Sequence, residues 1–295
     1  MHMSKSTPTV AVLGQGPMGA ALAHALLKAK VSTVVWNRTR QRAEAQAAAG
    51  ARIAPTAEAA VRDADLVLGV LRDGNVTRAV LEPIPEDAFR TSTIVNFATS
   101  TPHAARKEAG WAAERRMSWL SGAIMVPTPL VGQPDSLFLY SGERAPFDIH
   151  ADVLKVLGGD ARHVGTDHGL ASLLDTGMLE LFFAGMTGFL HATAMVTAQG
   201  LKATDFLPFA ETMVDILPAS LAGLARDVDA GTYPGTEDNL AMELAALGHI
   251  VDTSDDIGLD GRFPRVMRDL AAAAVDSGHG GHGWSRIIEQ LRKPA

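Results

Sequence analysis

Val10-Ala-Val-Leu-Gly-Gln-Gly-Pro-Met-Gly19 decides how this chain folds. Thr9–Leu13 is a short apolar run rich in β-branched residues, as a strand buried on both faces requires. Gly14, Gly16 and Gly19 follow at G-x-G-x-x-G spacing, and residues 20–29 are helix formers. Each glycine has its own task. Gly14 permits the tight turn, Gly16 lets a pyrophosphate approach the backbone, and Gly19 lets helix and strand pack closely. The helix N-terminus offers free N–H groups and the positive end of its dipole to the phosphates. Alone the glycine pattern is a weak signal. Between a strand and a helix it reads as a dinucleotide-binding loop, with Gly14, Gln15, Gly16, Pro17, Met18 and Gly19 against the cofactor.

The end of the second strand, residues 31–36, selects the cofactor. An NAD site usually carries an acidic residue there, held against the ribose 2′-hydroxyl. This chain has Asn37, Arg38 and Thr39, with Arg42 just beyond. A guanidinium and a hydroxyl suit a 2′-phosphate, and no carboxylate repels it. NADPH is therefore the expected cofactor.

Further strands are expected at 66–71, 93–97, 119–125, 136–140 and 161–164. Helices are expected at 41–49, 56–63, 102–115 and 147–157. Strands alternating with helices predict an α/β, doubly wound parallel sheet of Rossmann type over residues 1–166. Leu71 and Arg72 fall at its carboxyl edge, where cofactors lie. Ala98-Thr-Ser-Thr-Pro102 follows the 93–97 strand, and Thr99 falls where nicotinamide ribose and substrate meet. From residue 167 the alternation stops. Helical runs at 169–199, 204–228, 236–254, 263–277 and 284–291 predict an all-α domain over 167–295, joined to the first by a long interdomain helix.

Composition narrows the choice of partner. The 295 residues are 47% hydrophobic and 20% charged, enough for a sizeable core, and carry a net charge of −7. No basic tract is present, which argues against nucleic acid or an anionic membrane surface. There is no cysteine, so disulfides and thiolate catalysis are excluded. Residues 181–201 are nearly long enough to span a bilayer. They contain Gly185, Thr187, Gly188, His191, Thr193, Thr197 and Gln199, and are expected to be a buried core helix. Met1-His-Met-Ser-Lys5 has no apolar signal core, so a cytoplasmic location is expected. His279 and His282 have no evident third ligand and read as a polar loop, with no metal site.

The order of the pieces resembles the β-hydroxyacid dehydrogenase and 6-phosphogluconate dehydrogenase superfamily. Within it the chain is similar to the imine reductases, including reductive aminases. The resemblance rests on Gly14-Gln-Gly-Pro-Met-Gly19, Asn37-Arg-Thr39, Asn96-Phe-Ala-Thr-Ser-Thr-Pro102, Gly122-Ala-Ile-Met-Val126, Asp175-Thr-Gly-Met-Leu179, Tyr233-Pro-Gly235, Ala241-Met-Glu-Leu244 and Gly278-His-Gly280, almost the full length. It implies NADPH-dependent hydride transfer to an imine, or to an imine formed from amine and ketone. It also implies an obligate homodimer with interleaved helical domains, and Met125 and Met242 in the substrate pocket.

The hydroxyacid dehydrogenases carry a lysine early in the interdomain helix that handles the alcohol proton. Here no lysine lies between Lys155 and Lys202, and the expected position reads Leu173. That disfavours the alternative of a hydroxyacid oxidoreductase. Asp175 is the remaining ionisable candidate, with Leu179, Phe182 and Phe183 on roughly its face of the helix. A carboxylate there stabilises an iminium or orients an amine. A helix-capping role is the competing reading. Imine reductases usually place a tyrosine or aspartate two turns later as the presumed proton donor. Phe183 stands there and cannot donate, which leaves Glu180, Tyr233 or water, and keeps a non-catalytic NADPH-binding protein in view.

Overall fold

The computed structural model describes residues 8–292; the opening Met1-His-Met-Ser-Lys5, on which the expectation about location rests, lies outside them. The chain divides into two compact units, Met1–Glu180 and Leu181–Ala295. The division falls inside the long helix. Ala171 packs on Ala123 and Leu139, and so ties the first turns of that helix to the sheet.

The first unit runs β1 (Thr9–Leu13), α1 (Pro17–Lys28), β2 (Ser32–Trp36), α2 (Gln41–Ala48), β3 (Arg52–Ile53), α3 (Ala57–Arg62), β4 (Leu66–Gly69), α4 (Gly74–Leu81), β5 (Thr93–Asn96), α5 (Pro102–Glu114), β6 (Ser118–Ile124), β7 (Leu137–Gly142), α6 (Arg144–Leu157) and β8 (Asp160–Gly165). The strand order is β3-β2-β1-β4-β5-β6-β7-β8. β1 and β4 run parallel, but the order of successive strands reverses between them, which opens a crevice at the carboxyl edge there. Both faces are covered. Leu22 and Leu26 of α1 pack on Val10 and Val12 on one side, while Trp111, Ala112 and Trp119 lie in the cluster with Ala11 and Leu13 on the other.

The sheet is not wholly parallel as expected. β6 and β7 run antiparallel, with Gly122 opposite Tyr140, and only β8 resumes a parallel pairing with β7. Residues 125–136 contain Pro127, Pro129 and Pro134 and no α-helix, so the chain doubles back instead of crossing over. Two elements were not expected. β3 is only two residues long. α4 begins at Gly74, in what the sequence presents as a turn, because the Asp73 carboxylate accepts from Val76 N at 2.9 Å and caps the helix.

α7 (Leu170–Ala198) leaves the first unit and enters the second, which continues with α8 (Ala203–Ala230), α9 (Leu240–Asp256), α10 (Arg262–Ala274) and α11 (Ile288–Leu291). Leu240, Leu247, Ala271, Ala274 and Ile287 form the core of this unit. The expectation that residues 181–201 are buried does not hold in the single chain. Leu181, Phe182 and Leu190 are exposed on α7, as are Phe209, Met213 and Val214 on α8. α7 and α8 are long and apolar enough to cross a bilayer by length and composition. A helix apolar around its whole circumference needs neighbours on every side, and one copy of this unit supplies only a few, such as Phe263 beside Gly188 and His191.

Candidate active site

The glycine turn is built by close backbone contact. Gly14 has φ +101°, and a Cβ there would lie 2.3 Å from the Val70 carbonyl oxygen. A Cβ on Gly19 would lie 2.0 Å from the Gly14 carbonyl oxygen, so α1 packs directly on the turn. Gly16 differs: a Cβ there would meet nothing within 4 Å, because this residue faces open space. Pro17 opens α1, where its missing N–H costs nothing. Gln15 N donates to Asn37 Oδ1 at 2.9 Å, and Asn37 Nδ2 donates to the Thr39 carbonyl at 2.9 Å, bracing the first turn against the second.

A cavity of about 720 Å³ runs along this edge of the first unit. It gathers the expected residues Gly14, Gly16, Pro17, Met18, Gly19, Asn37, Arg38, Thr39, Arg42, Leu71, Arg72, Thr99, Asp175 and Leu179. Arg38 and Arg42 have no carboxylate partner among the described residues, whereas Arg72 is paired with Asp73 at 2.9 Å. The open space at Gly16 and the two unpaired guanidinium groups fit a phosphorylated dinucleotide.

Four expected residues lie elsewhere. The Gln15 side chain turns inward to the Val12 carbonyl and is buried. Met125 packs against the Ala123, Leu139 and Ala171 cluster. Phe183 and Met242 belong to the second unit, where both are exposed. Of the substitutes for a proton donor, Glu180 is exposed, and the Tyr233 hydroxyl donates to the Glu289 carboxylate. His279 Nε2 lies 2.8 Å from Arg286 Nη2, and among the described residues no acid, histidine or cysteine group is placed to hold a metal.

The far wall of the cavity is apolar, with Phe97, Ala123, Ile124 and Leu179. Phe97 lies over Gly122, where a Cβ would be 2.5 Å from its ring, and meets Phe138 and Tyr140 edge to face. Asp175 sits in this wall and is 9% exposed. Burial pushes its carboxyl above the ordinary range, and among the described residues no neighbouring charge or hydrogen bond offsets it. Ser172, one turn earlier on the same helix face, also lines the cavity, and the sequence reading missed it. Extending the Asp175–Leu179 stripe back by three residues would have found it. Leu173, at the position of the dehydrogenases' lysine, is exposed and does not line the cavity.

A crevice of this make, beside the strand where the sheet's order reverses, is the cofactor cleft of a dinucleotide-binding fold. Comparison with known proteins narrows the class. Residues 9–165 match the NAD binding domain of 6-phosphogluconate dehydrogenase, and residues 167–293 match the C-terminal domain of NADPH-dependent reductive aminase-like proteins. The NADPH-dependent reductive aminase of Aspergillus oryzae is 31% identical over 289 residues, 96% of this chain and 97% of that protein. The solved Streptomyces aurantiacus imine reductase is 35% identical, with a TM-score of 0.91 over 97% of this chain and 100% of its own. A reductive aminase from Aspergillus terreus, solved with NADPH and ethyl-5-oxohexanoate, is 33% identical, with a TM-score of 0.91 and the same coverage. The chain belongs to the family of NADPH-dependent reductive aminases and imine reductases.

Proposed function

We propose that this protein is an NADPH-dependent imine reductase, acting on the C=N bond of cyclic imines and iminium ions to give amines. The observation that carries the reading is Asp175, a carboxylate in an otherwise apolar wall of the cofactor cavity, on a helix that has no lysine to serve an alcohol. The related Aspergillus terreus reductive aminase, solved with NADPH and ethyl-5-oxohexanoate and also with cyclohexanone and allyl amine, supports it.

When bound, NADPH supplies the hydride for the imine carbon. The turn Gly14–Gly19 holds its pyrophosphate, and Arg38, Thr39 and Arg42 hold the 2′-phosphate. Leu71, Arg72 and Thr99 flank its remaining length. Leu179, Ala123 and Ile124 exclude water from the reacting carbon. Asp175 would face the C=N nitrogen: protonated, its carboxyl is a proton source for a neutral imine, and ionised, it stabilises an iminium in a dry site far more than water does. We further propose that residues 1–166 form the cofactor domain and 167–295 the substrate and dimerisation domain. The working unit is then a homodimer with interleaved helical domains. The exposed apolar side chains of α7 and α8 support that assembly, since a second copy of the same helices would cover them. Phe183 and Met242 join the substrate pocket in that dimer. A cytoplasmic location belongs to the same proposal, since the reaction draws on a freely exchanging reduced dinucleotide.

Steady-state NADPH oxidation tests the reading with 1-pyrroline and 3,4-dihydroisoquinoline, beside NADP⁺ reduction with a panel of 3-hydroxy acids. Turnover of the imines alone is expected. Turnover of the hydroxy acids alone would return the chain to its parent superfamily's chemistry.

A further inference from the structure

Two polar side chains in the apolar wall are uncommitted. Most helical hydroxyls in this protein turn back onto the carbonyl four residues earlier: Thr176 to Ser172, Thr197 to Thr193, Thr253 to His249 and Ser254 to Ile250. Ser172 does not. The carbonyl it would reach, that of His168, already accepts Ser141 Oγ at 3.0 Å. Ser141 Oγ in turn accepts the amide of Ala171 at 3.2 Å, which fixes the first turn of α7. Among the described residues the Ser172 hydroxyl has no hydrogen-bond partner, and the residue, 7% exposed, lies in the cavity lining. Asp175, one turn on, also has no partner for its carboxyl among the described residues. Neither group is sealed inside the protein: both line the cavity one helical turn apart, open to a ligand or to water that enters it. Cβ atoms three residues apart on a helix are about 5–6 Å from each other, which lets a hydroxyl and a carboxyl share one hydrogen-bonded chain.

We propose that Ser172 is a catalytic residue that passes a proton from Asp175 to the imine nitrogen, the task for which Phe183 lacks a hydroxyl. This rests on the imine-reductase reading. As the carbon of the C=N bond gains hydride, its π pair moves to nitrogen. The nitrogen takes the Ser172 O–H proton, and the Ser172 oxygen takes the proton of the Asp175 carboxyl. The Asp175 carboxylate is then reprotonated from solvent, so one imine, one hydride and one proton become one amine. Burial of Asp175 favours its protonated form, so the carboxyl carries the proton before hydride transfer and is readily reprotonated after it. A substrate that arrives as a permanent cation, with no lone pair on nitrogen, needs none of this.

The test compares 3,4-dihydroisoquinoline, at a pH where it is neutral, with its N-methyl iminium salt, in the wild type, Ser172→Ala and Ser172→Thr. Wild-type turnover of both substrates checks the underlying reading separately. Ser172→Ala should lower kcat for the neutral imine by about tenfold or more, leave the N-methyl cation within about twofold, and be rescued by Ser172→Thr, which keeps the hydroxyl. Calorimetry on the NADP⁺ complex gives a readout without turnover. The alanine variant should bind the neutral imine about threefold to tenfold more weakly and the cation unchanged. Equal losses on both substrates would make Ser172 a packing residue. No loss on either would leave it outside the chemistry. Either result overturns the proposal.

Discussion

Gly16→Ala separates the cofactor's need for space from the fold's. In the protein alone a Cβ at Gly16 meets nothing within 4 Å, whereas at Gly19 it would lie 2.0 Å from the Gly14 carbonyl oxygen. Real Cβ contacts stay beyond 3.0 Å, so Gly19→Ala must push α1 off the turn by about 1 Å. Gly16→Ala should therefore leave the melting temperature within about 1 °C of wild type, as surface substitutions do. It nevertheless puts a methyl group where the pyrophosphate must approach the backbone. Losing one charge-assisted contact between amide and phosphate costs on the order of 1.5–3 kcal/mol, which is about 10- to 150-fold in Kd. Gly19→Ala should both lower the melting temperature and weaken NADPH. Thermal denaturation and a fluorescence titration with NADPH measure the two quantities on the same samples. A Gly16→Ala protein that melts and binds NADPH like wild type would refute this placement of the pyrophosphate.

Arg38→Ala should raise the NADPH KM by at least about tenfold and leave that for NADH within about twofold, as steady-state kinetics with each cofactor will report. Asp175→Ala should lower kcat/KM for imines by about 10²-fold, roughly 2.7 kcal/mol, with NADPH affinity unchanged in a direct titration. Asp175 also has a stability signature. Its folded carboxyl is raised above the unfolded value, so the native state binds the extra proton and its stability falls as pH rises through the folded pKa. Asp175→Asn should therefore raise the melting temperature near pH 8, by an increment that shrinks toward about pH 3, where both states are protonated. Light scattering at micromolar concentration should give twice the mass of one chain, and Leu190→Glu, at an exposed α7 position, should reduce it to one.

The first turn was legible because glycine stereochemistry admits few readings: Gly14 and Gly19 have backbone oxygens within 2.3 Å of any added Cβ. The cofactor edge followed from strand ends, so Arg38, Arg42, Leu71 and Thr99 converge on one cavity. The spacing says nothing of the side chain between the first two glycines, and Gln15 turned inward. Strand direction was not legible at β7, since a buried antiparallel strand carries the same apolar pattern as a parallel one. The signal lay in the proline-rich, helix-free connection before it. α4 was hidden behind Gly74, and its capping Asp73 was the clue. Ser172 was missed because a lone serine in an apolar helix is ordinary until the His168 carbonyl is seen to be taken.

Transfer of label from the cofactor tests the central claim most directly. The protein is incubated with 3,4-dihydroisoquinoline and NADPH deuterated at both C4 positions, and the product is read by mass spectrometry and NMR. The account predicts tetrahydroisoquinoline with one deuterium at the former imine carbon and none at nitrogen after exchange into water. Unlabelled amine, or bound NADPH that is never consumed while the imine persists, would contradict it.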